Sequence, residues 1–162
     1  MKRRERPKSP THDIAVAQRS LYDPLPKQRL FHELEVDEML FGGAKGGGKS
    51  KAMFWDAFLR CKTQDDLHIP VHAGIFRRRF KDLQENHILW ARGLPKMFGR
   101  WRAGEKEFWF PNGARITFYH IEVEDDVRNF QSAEWEYVYL DEATLFTPYQ
   151  LEFVYGQWRT SL

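Results

Sequence analysis

The hydrophobic and polar positions divide the chain into a polar beginning and a succession of short apolar runs. Residues 1–20 are polar and read as a tail, with one helical turn at 14–17. Pro24 and Pro26 hold residues 22–26 extended or in a turn, because each proline fixes its own φ and restricts the residue before it. Residues 27–34 fit a short helix with Leu30, Phe31 and Leu34 on its apolar side, and 38–41 fit a short buried strand. Over 50–61, Ala52, Met53, Trp55, Ala57, Phe58 and Leu59 include an i, i+3, i+4 face and predict a helix. Residues 71–76 form a second strand candidate, and 80–91 a helix with Phe80, Leu83, His87 and Trp90 near one face. Segments 106–110 and 114–119 alternate around Pro111, Asn112 and Gly113; Asn-Gly accepts the positive φ of a tight turn, so this is a hairpin signal. Residues 135–140 are a further strand candidate, and 147–155 a helix with Pro148 in its first turn. Helices alternating with short buried strands predict an α/β domain with a largely parallel sheet plus the hairpin.

Composition narrows the class without choosing a function. The chain has 162 residues, 42% hydrophobic and 30% charged, with a net charge of +2. That is an ordinary globular composition for one domain, placed at 21–162 after the tail. The charge is uneven: residues 1–8 are basic, as is the run Arg77, Arg78, Arg79, Phe80, Lys81. One cysteine, Cys61, excludes a disulfide or cysteine–zinc framework within the chain and suits a reducing compartment. No apolar run approaches a membrane span, and no h-region follows the basic N-terminus. The six histidines make no metal-ligand pair at helical spacing.

The chemistry concentrates in Gly43-Ala-Lys-Gly-Gly-Gly-Lys-Ser50, which satisfies G-x-x-x-x-G-K-[ST], the Walker A pattern. Wrapping a phosphate chain needs backbone N–H groups pointing inward and no side chains in the way, so Gly43, Ala44, Lys45, Gly46, Gly47 and Gly48 suit the cradle. The helix that follows aims its positive dipole end at the anion. In this reading Lys49 reaches the β- and γ-phosphates of ATP and the Ser50 hydroxyl ligates Mg²⁺.

A hydrolase of this kind needs an acidic partner at the end of an apolar strand. Tyr137-Val-Tyr-Leu-Asp141-Glu142 has that form. Asp141 is the metal-holding acid, and Glu142 orients or deprotonates the attacking water. Adjacent carboxylates on an extended segment point in different directions, which suits two separate tasks.

Five stretches, in order, give the chain a resemblance to the N-terminal ATPase part of phage terminase large subunits, the motors that pump viral DNA into procapsids. They are 26–32, 41–50, 75–83, the hairpin at 108–118, and 129–143 leading into the acid pair; together they span about residues 20–160. The resemblance implies an ASCE-type P-loop NTPase fold with a mostly parallel sheet and an inserted β-hairpin. It implies ATP and Mg²⁺ as ligands, with Gln28 reading adenine and Phe31 or Tyr22 covering it. It implies double-stranded DNA, portal protein, procapsid and terminase small subunit as partners. It also implies a homo-oligomeric ring, no membrane, and the cytoplasm of the infected bacterial host. Many members carry an arginine where this chain has Gln131, a candidate to stabilise transition-state charge on the neighbouring subunit's ATP, so Arg128 and Lys45 become the candidates for that role, with residues 77–79 left open. The family continues with further strands and a nuclease where this sequence stops at Leu162, and the domain is therefore expected to be incomplete at its C-terminus. Two alternatives stand beside this reading: a helicase-like P-loop DNA motor, from which Asp141-Glu-Ala-Thr144 departs, and a truncated nucleotide-binding fragment without turnover.

Overall fold

The computed structural model describes residues 19–43, 46–63 and 70–158. Of the predicted tail over 1–20, residues 1–18 with the helical turn lie outside the described residues, as do the loop residues Ala44 and Lys45; Arg19 and Ser20 are helical.

The architecture is α/β, built on one open five-stranded sheet. Helix α1 (Pro26–Glu33) and helix α2 (Lys49–Thr63) precede β1 (His72–Arg77). A helical segment follows in three parts: α3 (Phe80–Leu83), a π-helical turn (Gln84–Ile88) and α4 (Leu89–Arg92). Then come β2 (Arg100–Arg102), β3 (Glu107–Trp109), β4 (Arg115–His120), a 3-10 segment (Glu124–Phe130) and β5 (Tyr137–Leu140). A 3-10 turn (Ala143–Leu145) and α5 (Pro148–Gln157) complete the order.

The strand order is β2-β3-β4-β1-β5, with β1 parallel to both β4 and β5 and the two ladders from β2 to β4 antiparallel. This corrects the expectation of a mostly parallel sheet: the sheet is mixed. The hairpin is not an insertion apart from the sheet. Its second strand, β4, docks directly on β1, and this carries the antiparallel β3 and β2 into the same sheet. The hairpin register is as the alternation predicts, with Phe108 opposite Ile116, and Gly113 turns at φ +86.

All six residues of β1 are buried because both sheet faces are covered there. On one face Phe54, Phe58 and Cys61 of α2 pack with Leu83, Ile88 and Ala91 against Ala73, Ile75, Ile116 and Phe118. On the other, Phe76 meets Val127 and Phe130 of the 3-10 segment, Trp135, and Val154 of α5. Cys61 is fully buried, and burial pushes its thiol pKa up. Helix α5 starts where its cap dictates: Thr147 accepts from Gln150 N, and Pro148 occupies the first turn.

Three local expectations are corrected. Residues 38–41 form no strand; Leu40 is 90% exposed, and among the described residues no strand edge pairs with this stretch. A strand needs a ladder that this stretch does not find among the described residues, and Phe41 instead stacks on Phe31 at 4.9 Å. In α1 the buried residues are Gln28 and Phe31, whereas Leu30 and Leu34 are exposed. The helix over 80–91 is interrupted by the π turn; Leu83, His87, Ile88 and Ala91 are buried, and Phe80 and Trp90 of the predicted face pack partly buried against the same core. No helix among the described residues is long and apolar enough to cross a membrane.

Candidate functional site

The glycine loop leads directly into α2, and its backbone needs its glycines. Gly46 and Gly48 sit at φ +88 and +69, the left-handed region that L side chains rarely adopt. At Gly48 a Cβ would also lie 2.6 Å from Gln28 Nε2. That closeness reflects a bond: Gln28 Nε2 donates to Gly48 O at 3.0 Å, while Gln28 Oε1 accepts from Leu25 N at 2.8 Å. Both ends of the Gln28 amide are thus engaged within the fold, tying the start of α1 to the loop. Tyr22 and Phe31 are also internal, with Tyr22 stacked on Trp55 at 5.1 Å.

Lys49 Nζ donates to Gly43 O at 2.9 Å, so the side chain lies back across the loop. Ser50 Oγ donates to Asp141 Oδ1 at 3.0 Å across a separation of 91 residues. This contact joins the loop to the acid pair at the C-terminal ends of β1 and β5, where ligands of parallel α/β strands bind.

Asp141 is 4% exposed. Its Oδ2 accepts from Arg77 Nη1 and from His87 Nε2, each at 2.9 Å. Arg77 Nη2 also lies 2.9 Å from Glu142 Oε1, so one guanidinium spans both acids. Burial pushes the Asp141 carboxyl up, but the His87 hydrogen bond and charge, then Arg77 and Ser50, outweigh it and hold the group below its ordinary value. Glu142 has φ 57 and ψ 48, a left-handed conformation rare for a non-glycine residue. The chain bends there from β5 into the 3-10 turn, and the Glu142 side chain stays half exposed beside the loop's partner acid.

The predicted residues therefore separate. Ser50, Asp141 and Glu142 are brought together, with Gly48 and Lys49 beside them. Arg128 is exposed and pairs with Asp125 at 3.4 Å; among the described residues no hydrogen bond or ion pair links it to the loop. Of the arginines left open, Arg77 turns inward onto the acids, Arg78 donates to Leu145 O at 2.7 Å, and Arg79 is exposed. Lys45 lies outside the described residues. Sequence reasoning missed His87. Its placement on the inner face of the predicted helix was legible, but its partner was not, because Asp141 lies 54 residues away.

The donor set suits a small hard cation. A hydroxyl and a carboxylate oxygen, 3.0 Å apart, are the oxygen ligands that Mg²⁺ takes, usually completed by water and substrate phosphates. Among the described residues no group of three or more His, Cys, Asp or Glu side chains is placed to hold a metal alone. Comparison of the chain with protein-family profiles, curated proteins and solved structures finds no significant match.

Proposed function

We propose that this chain binds ATP with Mg²⁺ on the loop 43–50 and hydrolyses it, as the ATPase part of a DNA-packaging motor of the terminase large-subunit kind. The observation that supports the reading is the Ser50–Asp141 hydrogen bond, which brings the glycine loop and the acid pair together across 91 residues. In this reading the fold is a P-loop NTPase whose sheet is mixed.

The residues divide the work. Loop amides from Gly43 to Gly48 and the N-terminus of α2 bind phosphate. Lys49, whose Nζ donates to Gly43 O within its own loop, exchanges that carbonyl for a phosphate oxygen when nucleotide binds. Ser50 Oγ and Asp141 Oδ1 hold Mg²⁺, which when bound neutralises phosphate charge. Glu142, anchored by Arg77 and half exposed, takes the proton of the attacking water. Gln28 acts from below the loop, fixing Gly48 and not contacting base. Double-stranded DNA, a portal and procapsid, a small subunit and a ring of copies belong to the same proposal, on the sequence resemblance alone.

Glu142→Gln keeps shape and removes the base. It is expected to retain ATP affinity within about threefold while turnover falls at least about 100-fold. Calorimetry with an ATP analogue and a phosphate-release assay check this, with Lys49→Ala as the binding-deficient control. Wild-type turnover in Glu142→Gln would remove Glu142 from the chemistry, and an absence of ATP binding by the unmodified chain would remove the reading.

A further inference from the structure

His87 is a costly residue for its position. It is fully buried, edge-on to Trp90 at 5.4 Å and near Phe54. Its Nδ1 is buried with no hydrogen-bond partner among the described residues. An apolar residue would fill the space without leaving a polar atom dry. What the histidine adds is a single contact: Nε2–H donates to Asp141 Oδ2 at 2.9 Å.

The backbone is also altered to make that contact. His87 lies within the π turn Gln84–Ile88, between two stretches of α-helix. A π turn is a rare irregularity inside α-helices and is frequent at functional sites.

The geometry at Asp141 shows what the contact does. Oδ2 is held by two donors, Arg77 Nη1 and His87 Nε2, and Oδ1 faces the Ser50 hydroxyl. One oxygen is pinned to the protein and the other is presented to the loop. Arg77 gives this carboxylate one donor, Nη1, because its Nη2 goes to Glu142; His87 supplies the second.

We infer that His87 is a positioning residue for the metal site: it fixes the rotation of the Asp141 carboxylate so that Oδ1 points at the cation held with Ser50. This rests on the nucleotide-binding reading above and adds a residue that the Walker patterns do not contain. Outer-shell partners of ligating carboxylates typically change metal affinity by about 10–100-fold when removed.

The test compares His87→Gln with His87→Asn and His87→Ala in the full chain. The glutamine amide nitrogen reaches about as far as Nε2; the asparagine nitrogen falls at the Nδ1 position. Mn²⁺, a paramagnetic substitute for Mg²⁺, is titrated by electron paramagnetic resonance with a non-hydrolysable ATP analogue present, and thermal melts are run beside it. His87→Ala and His87→Asn are expected to bind Mn²⁺ roughly 10-fold or more weaker, and His87→Gln within about threefold of the parent. Nucleotide affinity measured without metal stays unchanged. Equal Mn²⁺ affinity in Gln and Asn, or parental affinity in Ala, overturns the inference; should Ala not fold, the Gln–Asn difference decides. An unmodified chain that binds no Mn²⁺–nucleotide overturns both readings. One that binds it without turnover overturns hydrolysis only, and the Mn²⁺ differences then support or refute His87 on their own.

Discussion

His72, at the opposite end of β1 from the site, is 7% exposed and part of a directional chain. Arg115 Nη2 donates to His72 Nδ1 at 3.2 Å, His72 Nε2 donates to Thr117 Oγ1 at 2.8 Å, and Thr117 donates to Glu107 at 2.9 Å. Each link fixes the next only while the imidazole is neutral. Burial, and next the Arg115 charge, lower its pKa to about 4 from 6.5. Between those values the unfolded chain binds the proton and the folded one does not, so stability is fully present above pH 6.5 and is lost as pH falls toward 4. The loss amounts to about 3 kcal/mol at most. Urea denaturation at pH 7 and 4.5 is expected to show it, and His72→Gln to flatten the difference. Glu142 is a second residue-scale case. Its left-handed backbone costs about 1–2 kcal/mol, and strain of this kind gathers at functional positions.

Among the elements, those whose signals are local match the sequence reading. The Asn112-Gly113 turn, Pro148 in the first turn of α5 and the amphipathic face of α2 each depend on residues within a few positions of one another. Residues 38–41 do not match, since a strand exists only when another strand pairs with it. The π turn was invisible because one extra residue barely disturbs apolar spacing: Leu83, His87 and Trp90 suit a plain helix on paper. Deleting one residue from Gln84–Ile88 would turn His87 by about 100° off Asp141. The junction of loop and α2 offers a sharper trial. Gly48→Ala places a methyl 2.6 Å from Gln28 Nε2 at φ +69. The left-handed backbone costs about 1–2 kcal/mol, and displacement of Gln28 adds to it. A lowered melting temperature together with weaker ATP-analogue binding is expected; Gln28→Ala in the same background should recover part of the stability.

At the scale of the molecule, the layers are joined by a buried polar cluster around Asp56 of α2. Asp56 is 4% exposed and accepts from His32 Nδ1 at 2.9 Å, Tyr139 hydroxyl at 2.8 Å and Arg60 Nε at 3.3 Å. His32 in turn meets the Tyr22 hydroxyl at 2.9 Å. Burial and the Asp56 charge push the Tyr22 phenol up to about 12, and burial, then Asp56, raise Tyr139 well above its usual value. Replacing Asp56 by alanine strands these partners and is expected to lower unfolding free energy by about 3–5 kcal/mol, read from the urea midpoint. None of this was readable from motif spacing, because α1, α2 and β5 meet only in the folded chain. The same holds for strand order: β1 sits between β4 and β5, which are made later. Loop and central strand are thus synthesised before either flanking strand, and the Ser50–Asp141 contact has to close across 91 residues. Such non-local closure is slow and leaves apolar surface open meanwhile, so this chain's period of greatest exposure to chaperones and aggregation falls during its own synthesis.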